Sequence, residues 1–350
     1  MMQELKSYLK ADMMSCEADS NEHMEQVLLP FSVDPHVYPV DLDFYHQGEK
    51  IGEGDQEVYK TKTNQNVSVI EKVVVRREEV NNLTRKDLRH DNILHAVAVI
   101  ENGSRFHIFC EECPFDLHDF AAVIRTETDC IWSVTKDVIG GIVFLTNKNL
   151  QHGDLKNKNI FIKSNGRALI GDLECLYKIG EEDVNCGTPE YRAPEIVNGN
   201  KISSTSDVYT LACNVSFILL AEGVLYKRYK DRFEVLKKES ENFDSNVEFE
   251  ADESEELFLD ELKLEEGKEI NLFQPEHYVD VTDNQLLNFI KSGLSIKPSD
   301  RNEAVKIASD KLVKQETWVK IERLIAEKIG GDDDEEESKK KQKQLDTAGY

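Results

Sequence analysis

A chain of 350 residues with 39% hydrophobic content, 15 Phe and 11 Tyr can bury a substantial core. Its net charge of −25 is local: residues 239–266 hold thirteen acids against one lysine, and residues 332–337 are all acidic. That balance excludes a nucleic-acid-binding surface, which needs a concentrated positive field. The seven cysteines include one close pair, Cys110 and Cys113, and zinc would need a second pair or histidines in ligand spacing. Reduced thiols and a cytoplasmic or nuclear location are therefore expected. The first residues lack an apolar signal core, and no apolar run approaches the roughly eighteen residues of a membrane span, so no membrane contact is expected.

Residues 1–40 carry no sustained period and read as an extension with a short helix over residues 1–10. From Phe44 the pattern turns to strands, with Gly52 and Gly54 in a turn ahead of Val58. The β-branched run at residues 67–75 predicts another strand, on which Ile70 and Lys72 share a face because strand side chains repeat every two residues. Glu78 and Glu79 open a helix to Leu88, acids being favoured at a helix N-terminus. Ile108-Phe109-Cys110-Glu111 reads as a strand, and Asp116 starts the next helix. Ile131, Val134, Val138, Ile142 and Leu145 form one apolar stripe at helical spacing. An acidic insertion at about residues 237–270 reads as solvated, and its Leu257, Phe258, Leu259, Leu262 and Leu264 leave a short amphipathic helix as the alternative. Helices return over residues 284–291 and 303–314. A closing helix follows with Trp318, Ile321, Leu324 and Ile325 on one face, and residues 330–350 read as a charged, disordered tail.

The densest chemistry lies in His152-Gly153-Asp154-Leu155-Lys156-Asn157-Lys158-Asn159 and Gly171-Asp172-Leu173-Glu174. Between them, Ile160-Phe161-Ile162 and a Ser164-Asn165-Gly166 turn predict a hairpin that brings Asp154, Asn159 and Asp172 to one end. Phosphoryl transfer needs such a set: one Asp for the acceptor hydroxyl, and an Asn with a second Asp to hold Mg²⁺.

This stretch resembles the catalytic and metal-binding loops of eukaryotic protein kinases, H-R-D-L-x-x-x-N followed by D-F-G. His90-Asp91-Asn92-Ile93-Leu94 is similar to the family's H-P-N-I-V, and Gly187-Thr188-Pro189-Glu190-Tyr191-Arg192-Ala193-Pro194-Glu195 to the end of its activation segment. Ser206-Asp207-Val208-Tyr209 resembles the start of the long buried helix, and Lys297-Pro298-Ser299-Asp300-Arg301 the late arginine motif. The resemblance implies an α+β, bilobal protein-kinase-like fold, with a small antiparallel sheet lobe and hinge at residues 41–113 and a mainly helical large lobe at 114–329. It implies ATP and Mg²⁺ as cofactors and a protein substrate. Asp154 and Lys156 would be catalytic, and Asn159 and Asp172 would hold the metal. Gly52, Gly54, Val58, Lys72, Glu79, Glu111 and Cys113 would bind the nucleotide, with Cys110 as gatekeeper. Glu195 and Arg301 would form a buried ion pair, and Asp207 would brace the catalytic loop.

Five positions depart from the family pattern. Glu57 stands at the third glycine of the phosphate-covering loop, where an acid opposes the anion. Aligning Val67-Ser68-Val69 with V-A-I puts Ile70 at the lysine position, so Lys72 acts from a shifted one or is a solvated edge lysine. An ungapped match puts Asn81, rather than Glu79, at the helix glutamate. Gly153 replaces the arginine that receives an activation-loop phosphate, and no Ser or Thr lies between Leu173 and Cys186, so Ser/Thr phosphorylation of that loop is not expected to switch activity. Glu174 replaces the glycine of D-F-G and adds negative charge beside the metal aspartate. Two functions follow: a kinase, with Lys156 more typical of Ser/Thr kinases, and a pseudokinase serving as a binding or scaffolding module. A fainter likeness to the Wee/Myt group, carried by Asn159-Ile160-Phe161-Ile162 and Asp207-Val208-Tyr209-Thr210-Leu211-Ala212, implies tyrosine or dual specificity and a cyclin-dependent kinase as substrate.

Overall fold

Alternating β-branched and aromatic residues in the first part of the chain form five antiparallel strands. The structure, a computed structural model, describes residues 48–51, 57–63, 66–75, 77–182, 187–221, 273–310 and 315–347. The N-terminal extension, Gly52, Gly54 and the acidic insertion lie outside these residues.

The sheet comprises β1 (Glu49–Lys50), β2 (Glu57–Lys62), β3 (Ser68–Val74), β4 (Ala96–Asn102) and β5 (Arg105–Glu111), in the order β1-β2-β3-β5-β4. Its registers set Val58 opposite Lys72, Lys72 opposite Ile108, and Ile70 opposite Cys110. Helix α1 (Arg77–Thr84) packs against this sheet and is shorter than the helix expected to Leu88. The chain turns extended at Arg85, and a single 3-10 turn, Lys86–Leu88, delivers Leu88 to the core.

Val74, Val80, Leu88, Ile93, Val99, Phe106 and Ile108 form one buried cluster that also takes in Leu145, Leu150 and Leu173 from beyond the sheet. The two lobes are thus joined by apolar burial, each fully buried Leu or Ile contributing about 1.5–3 kcal/mol.

The large lobe begins with β6 (Phe115–Asp116), α2 (Leu117–Ile124) and α3 (Thr128–Asn147). All five residues of the expected stripe, from Ile131 to Leu145, are buried in α3. The helix ends where Lys148 N–H returns to the Leu145 and Thr146 carbonyls, and Asn149 then takes φ 60°, a conformation asparagine tolerates. Next come β7 (Leu150–Gln151), β8 (Ile160–Ile162), β9 (Ala168–Ile170) and β10 (Tyr177–Lys178). β8 pairs antiparallel with β6 and β9, which is the expected hairpin, and β7 pairs with β10. α4 (Pro194–Val197), α5 (Ser206–Leu220), α6 (Asn284–Gly293), α7 (Ala304–Asp310) and α8 (Gln315–Thr347) complete the architecture. A five-stranded antiparallel sheet followed by a mainly helical lobe is the α+β bilobal arrangement.

Two expectations are corrected. The closing helix does not stop near Ile329: α8 runs to Thr347 through residues read as a disordered tail. Glu335, Glu336 and Glu337 precede Lys339, Lys340 and Lys341 by four residues, the spacing and order that support a helix. The cysteines are not all thiols either, because Cys175 is disulfide-bonded. Cys110, Cys113, Cys130 and Cys213 are free. Among the described residues, no helix is long and apolar enough to cross a membrane.

Candidate active site

β7 carries the chain into the loop at residues 152–159, and the start of α5 fixes that loop from beneath. Buried Asp207 accepts from the backbone N–H of His152 through Oδ2 (2.6 Å) and of Gly153 through Oδ1 (3.3 Å). Its own N–H donates to Gln151 Oε1 (2.9 Å). His152 is fully buried; its Nδ1 accepts from Asp154 N–H (3.3 Å), so Nε2 is the donor to the Gly171 carbonyl (2.9 Å). One imidazole therefore ties the Asp154 loop to the Asp172 loop. Asn214 Nδ2 holds the Leu155 carbonyl (3.0 Å), a second anchor from α5.

Asp154 is held at both carboxylate oxygens. Oδ1 accepts from Thr188 N–H (2.7 Å), while Oδ2 meets Asn159 Nδ2 (3.2 Å) and Lys156 Nζ (3.1 Å). Lys156 Nζ also donates to Thr188 Oγ1 (2.9 Å). Asn159 Nδ2 donates to the Asp154 carbonyl as well (2.8 Å), which leaves its Oδ1 as the atom able to meet a cation. Thr188 was legible only as part of a motif; its double contact with Asp154 and Lys156 needs the fold. Asn157 Nδ2 reaches the Tyr191 hydroxyl (3.3 Å), adding another tie to the segment at residues 187–195.

Gly153 stands where the resemblance expects arginine, and the backbone explains the glycine. Its φ is +79°, and a Cβ there would lie 2.3 Å from the Cys175 carbonyl oxygen and 2.6 Å from the Tyr177 ring. Gly187 approaches from the other side, where a Cβ would lie 2.2 Å from the Gly153 carbonyl oxygen. The loop and the segment meet backbone to backbone.

Asp172 follows β9 in a left-handed conformation, φ 60° and ψ 71°. A non-glycine residue there carries about 1–2 kcal/mol of strain, held by the surrounding contacts. Burial pushes the Asp172 carboxyl above its ordinary range, Lys72 draws it back, and Glu174 pushes it further up. Lys72 Nζ lies 3.7 Å from Asp172 Oδ1 and 2.8 Å from Glu174 Oε1. Lys72 therefore faces the Asp172 loop and is not a solvated edge lysine, while Ile70, two residues earlier on β3, sits opposite Cys110. The lysine that meets Asp172 stands two residues beyond the position to which the alignment pointed. A run of β-branched residues reads alike when slid by two, because the face is conserved by that shift.

The remaining nucleotide positions are placed as follows. Val58 lies on β2 across from Lys72. Glu111 closes β5 and meets Lys163 Nζ at 3.0 Å, and Cys113 follows it, with burial pushing its thiol up to about 12. Cys110 is likewise pushed up to about 12 by burial. Glu79 lies on α1, and Asn81, its rival, is exposed. Asn82 of α1 joins the helix to the loop that follows Asp172, its Nδ2 donating to the Leu173 carbonyl (2.9 Å). Glu57 does not stand as a bare acid, because Arg105 donates to its Oε1 (2.6 Å) and Oε2 (3.1 Å).

A family model described as the protein kinase domain matches residues 45–313. The chain belongs to the protein kinase domain family. A probable myosin light chain kinase of Dictyostelium discoideum is 27% identical over 198 residues, 51% of this chain and 56% of the relative. Serine/threonine-protein kinase 33 of Bos taurus is 23% identical over 182 residues, 46% of this chain and 37% of the relative. The inactive serine/threonine-protein kinase PLK5 of Mus musculus is 31% identical over 138 residues, 38% of this chain and 23% of the relative. The matches thus span from about a quarter to about half of these relatives' lengths. Oxygen donors suit Mg²⁺, and the kinase domain offers Asn159 Oδ1 and the Asp172 carboxylate at one end of the β8–β9 hairpin, so the donor set fits that ion.

Proposed function

We propose that this kinase domain transfers the γ-phosphate of ATP to a protein serine or threonine hydroxyl. The observation that carries the reading is Asp154, whose two oxygens are fixed by Thr188 N–H, Asn159 Nδ2 and Lys156 Nζ. A carboxylate so held can orient an acceptor hydroxyl and take its proton, a contribution of about 10²–10⁴ in rate. Bound Mg·ATP supplies the phosphoryl group. Asn159 and Asp172 would hold the metal and Lys72 would take the phosphates, with Gly52, Gly54 and Val58 assigned to cover them by the resemblance. The backbone at Glu111 and Cys113 would receive the adenine, and the resemblance assigns Glu79 to the same site. Lys156 stands between Asp154 and Thr188 to meet the transferred charge.

A serine or threonine acceptor is supported by Lys156 and by the likeness to serine/threonine-protein kinase 33 of Bos taurus. The Wee/Myt likeness, with its tyrosine acceptor and cyclin-dependent kinase substrate, gains no support from them. The second reading, a binding module without transfer, has on its side Glu174, an added carboxylate 2.8 Å from Lys72. The deciding experiment follows labelled γ-phosphate into the protein itself or a generic acceptor, comparing the wild type with Asp154→Asn. Incorporation that disappears in the variant, located on serine or threonine, is expected. Equal incorporation in both, or none in either with Mg²⁺ or Mn²⁺, would overturn the reading.

A further inference from the structure

We infer that Glu174 is a positioning residue that holds Lys72 ready for the nucleotide's phosphates; the inference rests on the kinase reading above. Three features of the fold carry it. Glu174 Oε1 lies 2.8 Å from Lys72 Nζ, although 102 residues separate them in sequence. The turn that presents Glu174, residues Leu173–Cys175, is anchored by burial on both sides: Leu173 is 1% exposed and Cys175 is 9% exposed. Finally, the Leu173 carbonyl accepts from Asn82 Nδ2 of α1 (2.9 Å), so the turn lies between that helix and β3.

The exposure of the pair says what it is for. Lys72 and Glu174 side chains are 30% and 38% exposed, and ion pairs so accessible add little to stability. What such a contact does is limit a flexible lysine: four rotatable bonds must otherwise be ordered when the phosphates arrive. The second carboxylate, Asp172 Oδ1, stands 3.7 Å away and draws Nζ toward the metal position. Two residues of a single loop, Asp172 and Glu174, thus reach the Lys72 ammonium, and the glycine-to-glutamate departure supplies the nearer of them.

The test has two readouts. In the nucleotide-free protein, acylation of Lys72 by acetic anhydride, read by mass spectrometry, should rise at least threefold in Glu174→Gln and less in Glu174→Asp. The dissociation constant of Mg·ATP, measured by calorimetry without turnover, should rise about five- to tenfold in Glu174→Gln, partly recover in Glu174→Asp, and show no further loss when Glu174→Gln is added to Lys72→Gln. Unchanged melting temperature is expected because the side chain is exposed. Unchanged Lys72 acylation would overturn the contact itself. Tighter Mg·ATP binding in Glu174→Gln, or the same loss in the Lys72→Gln background, would overturn the positioning role. Absence of Mg·ATP binding in the wild type, with acylation responding as stated, would instead overturn the kinase reading and leave a structural ion pair.

Discussion

Arg301 grips Glu195 with both ends of its guanidinium. Nη1 donates to Oε1 and Nη2 to Oε2, each at 2.8 Å, with both side chains buried. Arg301 also donates to the Ser295, Ile296 and Thr205 carbonyls, while Ser206 Oγ donates to Glu195 Oε1 (2.6 Å). The pair fastens the segment at residues 187–195 to the far end of the large lobe. Removing one partner leaves a buried charge alone, so Glu195→Gln and Arg301→Leu should each lower unfolding free energy by about 3–5 kcal/mol in urea titrations at neutral pH.

The same pair sets a pH dependence. Burial alone would raise the Glu195 carboxyl, but hydrogen bonds and charge from Arg301, with help from Ser206, hold it below the ordinary range. Its folded value is depressed, so its stabilisation is fully present above the unfolded value, about 4.3, and is lost as pH falls through the folded one. Wild type should therefore lose more stability than Glu195→Gln across that acidic window; parallel curves would show that Glu195 contributes no linkage.

Asp207 faces two N–H donors, those of His152 and Gly153. Asparagine can accept from one and must turn an amide N–H₂ toward the other. Asp207→Asn should cost about 1–3 kcal/mol for the unsatisfied group. Because His152 precedes Asp154 by two residues, the displaced loop should lower kcat by about 10²-fold while KM for ATP changes less. Steady-state kinetics beside a thermal melt would separate the two effects.

Gly153 invites a repair that the backbone forbids. Glycine suits its φ of +79°, and a Cβ would meet the Cys175 carbonyl oxygen at 2.3 Å. Restoring the family's arginine with Gly153→Arg should destabilise the protein rather than activate it. Gly153→Ala should already cost about 1–2 kcal/mol from the left-handed backbone alone, before the clash is counted. A melting temperature unchanged in Gly153→Ala would show that this loop can relax.

Glu57 is neutralised by Arg105 in a half-exposed pair. Arg105→Gln should raise KM for ATP about two- to threefold by uncovering the acid, an effect that salt diminishes because exposed charges are screened over about 8–10 Å. Glu57→Gln should not raise it. Equal KM in all three proteins would mean that this pair lies too far from the phosphates to matter.

Local order was written plainly in this chain. The stripe from Ile131 to Leu145, the Ile160–Ile162 hairpin and the ordered motifs from His152 to Arg301 are short-range patterns, and short-range patterns survive in a single sequence. They determined the fold class and brought Asp154, Asn159 and Asp172 to one place. The length of α8 was not legible, because blocks of like charge without an apolar face read as a solvated tail. Tertiary structure alone decided what crosses the cleft. β3 looks the same when slid by two residues, so only its register with β5 put Lys72, rather than Ile70, beside Asp172 and Glu174. Thr188 at Asp154, Arg105 at Glu57 and the backbone packed against Gly153 are equally invisible along the chain. Each joins residues whose separation is set by how helices and strands pack, and no periodicity within one element encodes the neighbour that another element brings to it.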